Sequence, residues 1–337
     1  MISKLTNLRK SQIKPKWFLR QAGRHIPEYF SLRNKHNNFI DFCLNENSIV
    51  DATILPLKYY NIDAAILFSD ILLLPHFYGQ KVTFKEKVGP VLSKIEINDE
   101  FIKRKFDLNN FISIKNAILK IKETLPPSKD LIGFCGAPWT LACYMLDGGS
   151  SKDYAKTRIF LWNNEEMFYK LINKLTKSCA DFLEYQYLAG CSVLMIFDTW
   201  SSMIPDTYWV KFGIEPIKSI VDILRKRNVQ CPIIGFPFKS GEMLIQYSYE
   251  SLVDVVSIDW KTNLDWAIKN INKNVITQGN LDPAILSSDN TLAIKKEVHR
   301  ILSLTQNKCH IFNVGHGLTP EVKISNVKYV IKLIEEY

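Results

Sequence analysis

Long apolar runs are missing from this 337-residue chain. Stretches such as Ile71–Leu74 fall far short of the ~18 residues that a membrane-spanning helix needs, so no membrane partner is expected. The N-terminal Met1–Pro15 is basic and polar. It lacks the apolar core of a signal peptide and is short for a transit peptide, so a cytoplasmic location is expected. Metal and cofactor signatures are missing as well. The six histidines form no HExxH, and no His-x-Cys is followed by the distant Cys of a zinc thiol-activating site. No Walker or dinucleotide glycine-rich fingerprint follows a strand, and no Ser-His-Asp elbow is visible. There is no CxxC, and the seven cysteines are an odd number set mostly in apolar surroundings. That usage fits reduced, buried thiols better than a disulfide framework.

What the chain does carry is positive charge. Lys and Arg number 43 against 34 Asp and Glu, a net charge of +9. Such a balance admits nucleic acid, an anionic surface or a polyanionic small molecule. The lysines are scattered, as in Lys103-Arg104-Lys105, with no long basic run and no RNA-binding aromatic signature. No nucleic-acid partner is expected, and the richness in Lys, Asn and Ile makes part of the basicity a matter of surface composition.

Short apolar runs alternate with longer helical patterns. Strands are predicted at Lys16–Arg20, Ile62–Phe68, Leu131–Cys135, Val193–Phe197, Pro232–Phe236, Val255–Ile258, Val275–Gln278 and His310–Val314. Continuous apolar strands imply burial on both faces, as in a parallel sheet. Eight βα units argue for an α/β fold closed as a (β/α)8 TIM barrel. One domain is expected over 1–337, with an N-terminal extension and a hairpin excursion near 79–93. Helical patterns cover Asn47–Tyr59, Ser113–Thr124, Tyr154–Leu188, Pro216–Arg227, Gly241–Tyr249 and Leu264–Asn272. Two more open on a polar-Pro start at Asp282-Pro283 and Thr319-Pro320. The last of these puts Val327, Val330, Ile331 and Ile334 on one stripe.

In a barrel, functional groups gather at the carboxyl ends of the strands. Those ends here read Arg20 and Arg24, Ser69-Asp70, Gly136 to Trp139, Asp198-Thr199-Trp200, Phe238-Lys239, Asp259-Trp260-Lys261, Gly279-Asn280 and Gly315-His316-Gly317. Arginine suits a planar, bidentate grip on carboxylates, although a pair of arginines near a turn is more often a structural ion pair. Asp70 is read equally well as a helix N-cap or as a site carboxylate. An Asp among apolar residues needs a partner, however, because a bare buried carboxylate is costly. Tyr144 would by default be a core aromatic, and Thr199 a turn residue. His316 between two glycines has little packing reason to be there. Gly148-Gly149-Ser150-Ser151 reads either as a mobile loop or as a nest of backbone N–H groups for an anion.

Together these residues carry a family likeness. The run Trp17-Phe18-Leu19-Arg20-Gln21-Ala22-Gly23-Arg24-His25-Ile26-Pro27-Glu28-Tyr29 strongly resembles the arginine-bearing signature of the uroporphyrinogen decarboxylase family. Ile66–Leu72, Gly133–Leu141 with Tyr144, Phe197–Trp200, Asp259-Trp260, Gln278–Pro283 and Asn313–Gly317 match further family segments in order. The resemblance implies a single-domain (β/α)8 barrel acting as a homodimer. It also implies removal of the four acetate carboxyl groups of uroporphyrinogen III, giving coproporphyrinogen III and carbon dioxide without metal or organic cofactor. By resemblance, Asp70 and Arg20 are catalytic, and Arg20, Gln21, Ala22, Gly23, Arg24, Asp70, Tyr144, Thr199 and His316 bind the tetrapyrrole. An ionised Asp70 would balance the cationic pyrrole from which carbon dioxide leaves. The proton donor stays open between Arg20, bound water and His316, whose intrinsic pKa suits a general acid better than that of an arginine. His25 departs from a usual Tyr, Ser201-Ser202 from a Gly-rich pair, Phe238-Lys239 from a frequent Arg-containing turn, and Val322–Ser325 from a more proline-rich stretch.

Two rival readings predict different features. A corrinoid- or thiol-dependent methyltransferase sharing the fold calls for zinc ligands, which are not found in the sequence. A non-catalytic porphyrin- or nucleic-acid-binding protein is pointed to by charge alone.

Overall fold

A computed structural model describes residues 2–5, 14–86 and 88–337. Most of the expected N-terminal extension, 6–13, lies outside the described residues. The strands are β1 (Ala64–Ile66), β2 (Val82–Lys85), β3 (Gly89–Leu92), β4 (Asp130–Gly136), β5 (Val193–Asp198), β6 (Ile233–Pro237), β7 (Val255–Ser257), β8 (Ile276–Leu281) and β9 (His310–Val314). Seven of them form one curled, all-parallel sheet in the order β1-β4-β5-β6-β7-β8-β9. Chain order and sheet order agree, so each crossover returns to the neighbouring position, as short right-handed connections demand. Strands β4, β6, β8 and β9 are buried along their whole length, which explains their unbroken apolar character. β2 and β3 pair antiparallel, apart from the main sheet.

The expected first strand, Lys16–Arg20, is not a strand. Only Lys16 bridges, in parallel to Phe312 of β9. There Phe312 N–H donates to Pro15 C=O at 2.8 Å and Trp17 N–H to Phe312 C=O at 3.3 Å. On its other side Lys16 C=O accepts from Asp63 N–H, and Lys16 N–H donates to the Asp63 carboxylate, each at 2.8 Å. One short segment therefore touches both edges of the sheet. Beyond it, side chains replace the ladder. Phe18 N–H donates to Gln21 Oε1 at 3.1 Å, and Leu19 N–H donates to Asn313 Oδ1 at 3.0 Å. Residues that satisfy their N–H groups this way leave the sheet and turn.

Helices cover the outside of the sheet. The Tyr154–Leu188 pattern resolves into Ala155–Asn163 and Glu165–Ala189. Two expected starts are corrected. Asp282 does accept from Ala284 N–H at 2.9 Å, but the turn it opens is 3₁₀ and stops at Ser287. Asn290 then caps a separate helix, Thr291–Thr305. The C-terminal helix is Ile324–Glu335 and not one from Pro320. Its buried face includes Val327, Val330, Ile331 and Ile334, each such side chain contributing about 1.5–3 kcal/mol when fully withdrawn from water. Helices at Pro27–Arg33, Phe39–Leu44, Leu73–Phe77, Asp99–Lys103 and Pro138–Asp147 had no sequence expectation. Six cysteines are buried, and burial pushes the thiols of Cys43, Cys143, Cys179, Cys191 and Cys231 up, away from the reactive thiolate.

Candidate active site at the strand ends

The turn after Lys16 builds the basic part of the site. Gln21 is fully buried, and its side chain joins Phe18 N–H to Ala64 C=O (3.0 Å). The signature glutamine therefore holds the turn to β1 with both of its side-chain polar atoms. Arg20 takes a left-handed backbone with φ of 58°, a strained state that non-glycine residues seldom adopt without a reason. Its side chain lies along Gly317. A Cβ there would stand 2.3 Å from Arg20 Cδ and 2.6 Å from its Cγ. The glycine after His316 is thus needed for the arginine to pass. Gly23 leaves room in the same way, since a Cβ on it would stand 2.8 Å from Arg20 C=O. Ala22 and Gly23 are half-buried, and Arg20 and Arg24 are exposed. Neither arginine makes a side-chain hydrogen bond or an ion pair among the described residues.

Asp70 follows β1 through Leu67, Phe68 and Ser69. One carboxylate oxygen accepts from Leu72 N–H at 2.8 Å, and the other makes no hydrogen bond among the described residues. The N-cap reading is thereby met only in part: the bond forms a local turn, while the helix itself begins at Leu73 without a side-chain cap. Burial raises the Asp70 carboxyl to about 6, opposed by the Leu72 N–H and by the Arg20 guanidinium. Burial raises the ionisation of Tyr144, and among the lesser influences the Asp70 charge raises it and the Arg20 charge lowers it, so both charges act at that side chain. Tyr144 projects from Pro138–Asp147, and its ring packs edge-on to Tyr154 and Trp200.

His316 is half-buried, its ring 4.6 Å from that of Phe238. Burial and the flanking cations Arg20 and Lys239 hold it down at about 4, so it is neutral near pH 7. This removes the reason for preferring His316 as a proton donor, because the imidazolium is scarce. Lys239 stands over the Phe238 and Trp260 rings at 5.1 and 5.9 Å. It also lines a depression of about 320 Å³ with Asp259, Lys261 and Thr262. Thr199 is half-buried beside Asp198, the buried last residue of β5. Asp259 instead organises its own loop, accepting from Lys261 N–H at 2.9 Å and from the Thr262 hydroxyl at 2.7 Å. The Gly148–Ser151 loop is tied down, with Leu92 N–H donating to Gly148 C=O at 2.9 Å and Gly149 bridging to Val91. Its glycines have φ of 81° and 146°, so glycine serves the turn there. Sequence reasoning places Trp200 at the end of the β5 strand and Tyr154 at the start of a helical pattern, and assigns neither side chain a role. Among the described residues no three His, Cys, Asp or Glu side chains converge as a metal site, and no helix is long and apolar enough to cross a membrane.

The fold is that of an α/β protein with a curled parallel sheet, in which Arg20 and Arg24 make no side-chain hydrogen bond or ion pair among the described residues and Asp70 keeps one oxygen free of them. The chain belongs to the uroporphyrinogen decarboxylase family: the sequence model described as Uroporphyrinogen decarboxylase (URO-D) matches residues 4–337. Uroporphyrinogen decarboxylase of Rickettsia felis is 38% identical over 330 residues, covering 98% of this chain and 95% of the relative. That of Rickettsia bellii is 37% identical over 324 residues, covering 96% and 95%. Among solved structures, a methyltransferase from Methanosarcina mazei superposes with a TM-score of 0.74 at 14% identity, covering 99% and 97%. A B12-independent methionine synthase from Shewanella sp. gives 0.57 at 10% identity, covering 86% and 88%. At such identities these two show a shared fold and nothing of the chemistry.

Proposed function

We propose the following assignment of residues to the family's reaction, the decarboxylation of uroporphyrinogen to coproporphyrinogen in heme biosynthesis. The substrate carries eight carboxylates on a flexible ring of four pyrroles. Arg20 and Arg24 take its carboxylates in bidentate fashion. Tyr144, Thr199 and the neutral His316 donate hydrogen bonds to others or to the ring edge, and backbone at Gln21, Ala22 and Gly23 shapes the floor. Asp70 presents its uncommitted oxygen to the pyrrole N–H groups. A proton enters the pyrrole ring and makes it an electron sink. The acetate C–C bond breaks, its electron pair moves into the ring, and carbon dioxide leaves. A second proton on the exocyclic carbon completes the methyl group, and the first proton then leaves the ring as aromaticity returns, so each carboxylate lost takes up one proton net. The ionised Asp70 lies where the positive charge develops, in a recess that weakens it little.

The observation that supports this reading is an Asp70 carboxylate with one oxygen free of hydrogen bonds and an Arg20 guanidinium free of ion pairs among the described residues, with the Arg20 charge opposing the rise of the Asp70 carboxyl. Each acetate in turn meets the same groups, so products accumulate stepwise. We read the scaffold as one closed (β/α)8 barrel in which the Lys16 segment is the eighth stave, and the protein as a cytoplasmic homodimer. Anaerobic incubation with uroporphyrinogen, resolving products by carboxyl number, tests the activity. Hepta- to tetracarboxylate products are expected, with turnover unchanged after chelator treatment. No product, or turnover that returns only with added metal, would overturn the reading. Light scattering of the intact protein tests the dimer.

A further inference from the structure

Two buried donors beside Tyr144 have no task in the fold. Tyr154 is fully buried, yet among the described residues its hydroxyl has no hydrogen-bond partner of good geometry, and neither has Nε1 of the half-buried Trp200. Buried donors are seldom left so. Both rings stand against Tyr144, with centroids 6.2 Å away for Tyr154 and 6.0 Å for Trp200, and they touch each other at 4.6 Å. Each is also fixed from behind. Trp200 N–H donates to Thr140 Oγ1 at 3.1 Å, and that hydroxyl donates to the buried Asp198 at 2.6 Å. Trp200 C=O accepts from the Trp139 indole at 3.0 Å. Tyr154 N–H donates to Ser151 Oγ at 3.1 Å, and its backbone is left-handed with φ of 52°. Strain of that kind in a fully buried tyrosine points to function. Two anchored side chains from different loops thus converge on a third from a helix.

A phenol oxygen has lone pairs to accept with and a single proton to give. We propose that Tyr154 and Trp200 are positioning residues whose O–H and N–H close onto the acceptor side of the Tyr144 hydroxyl when substrate binds, which leaves its own proton aimed at a substrate carboxylate. Hydrogen bonds of an empty site commonly tighten this way in the loaded one. In line with it, burial raises the ionisation of Tyr144 while the polar groups of Trp200 and Tyr154 pull it back. The inference rests on the reading of Tyr144 as a carboxylate donor. The same three aromatics explain why Asp198 and Thr140 are buried as a pair behind Trp200.

The test is a double-mutant cycle in the whole enzyme with Tyr144→Phe, Tyr154→Phe and both together, reading KM, kcat and melting temperature. Tyr154→Phe is expected to raise KM about five-fold, the equivalent of one hydrogen bond, with little change in melting temperature. It should add nothing once Tyr144 is Phe. Trp200→Phe should behave likewise. An equal effect of Tyr154→Phe in both backgrounds overturns the inference and leaves the Tyr144 reading standing. If Tyr144→Phe alone changes neither KM nor kcat, the Tyr144 reading fails first and takes the inference with it.

Discussion

At Asp70 one oxygen is committed to the Leu72 N–H and the other makes no hydrogen bond among the described residues. The first bond fixes the direction of the second oxygen, so the N-cap and site readings of this residue describe two halves of one carboxylate. Asp70→Asn keeps the shape and removes the charge. The fold is expected to survive, with kcat falling about 100- to 1000-fold, the usual loss when one preorganised electrostatic partner is removed. Near-normal turnover would take Asp70 out of the mechanism. The carboxyl lies at about 6 and must be ionised to act. Hence kcat/KM should fall as the pH drops through about 6, and the residual activity of Asp70→Asn should lack that limb. Asp198 gives a stability counterpart. It is 2% exposed, and burial lifts its carboxyl to about 7 against the pull of the Thr140 hydroxyl. Unfolded, it titrates near ~4. Its folded form therefore keeps a proton that the unfolded form releases, a contribution fully present below ~4 and lost as the pH rises through about 7. Relative to wild type, Asp198→Asn should melt progressively higher between those limits. A difference that stays constant across them would show that the carboxyl titrates normally.

The loop after β9 and the turn after Lys16 act as one element, because Arg20 runs along Gly317. Gly317→Ala would put a methyl carbon into the Arg20 side chain. An arginine stem is flexible and can move aside, so the melting temperature should change little. The displaced guanidinium should raise KM about ten-fold, the loss of one charge-assisted pair. If KM holds while stability collapses, the glycine serves packing alone. Elements of this kind were only partly legible in the sequence. The seven strands of the sheet announced themselves as apolar runs because burial on both faces demands it. Phe18 and Leu19 are just as apolar, yet Gln21 Oε1 and Asn313 Oδ1 take their N–H groups, and a substitution of ladder by side chain leaves no periodic trace. The helix start misread at Pro320 had the right local residues and the wrong tertiary setting. In the site, Arg20, Arg24, Asp70 and His316 stood out as polar residues at strand ends. Trp200 stood at a strand end and in a family segment and Tyr154 only at the start of a helical pattern, and neither drew a role, since their polar atoms sit on rings that look like core. Gln21 was legible as part of a signature, but the structure gives its side chain a fold-holding task.

Across the whole molecule a +9 charge meets a substrate of eight carboxylates. Lysine and arginine spread over the surface attract such a ligand over distances set by salt, with a Debye length of ~30 Å at 0.01 M and ~8 Å at 0.15 M. In the proposed assignment Arg20 and Arg24, free of ion pairs among the described residues, act at contact, where screening is weak. The two effects separate by kinetics. Steering raises the encounter rate and leaves the chemical step untouched. As ionic strength rises from ~0.01 to ~0.3 M, kcat/KM is expected to fall at least ten-fold, within the usual range for steered association, while kcat at saturation stays level. Arg24→Gln should lower kcat/KM at every salt concentration and keep most of the slope, because it removes one charge from a field that the whole surface makes. A kcat/KM that is flat with salt would mean that surface charge plays no part in capture, and the arginines at the mouth would then be left to bind substrate unaided.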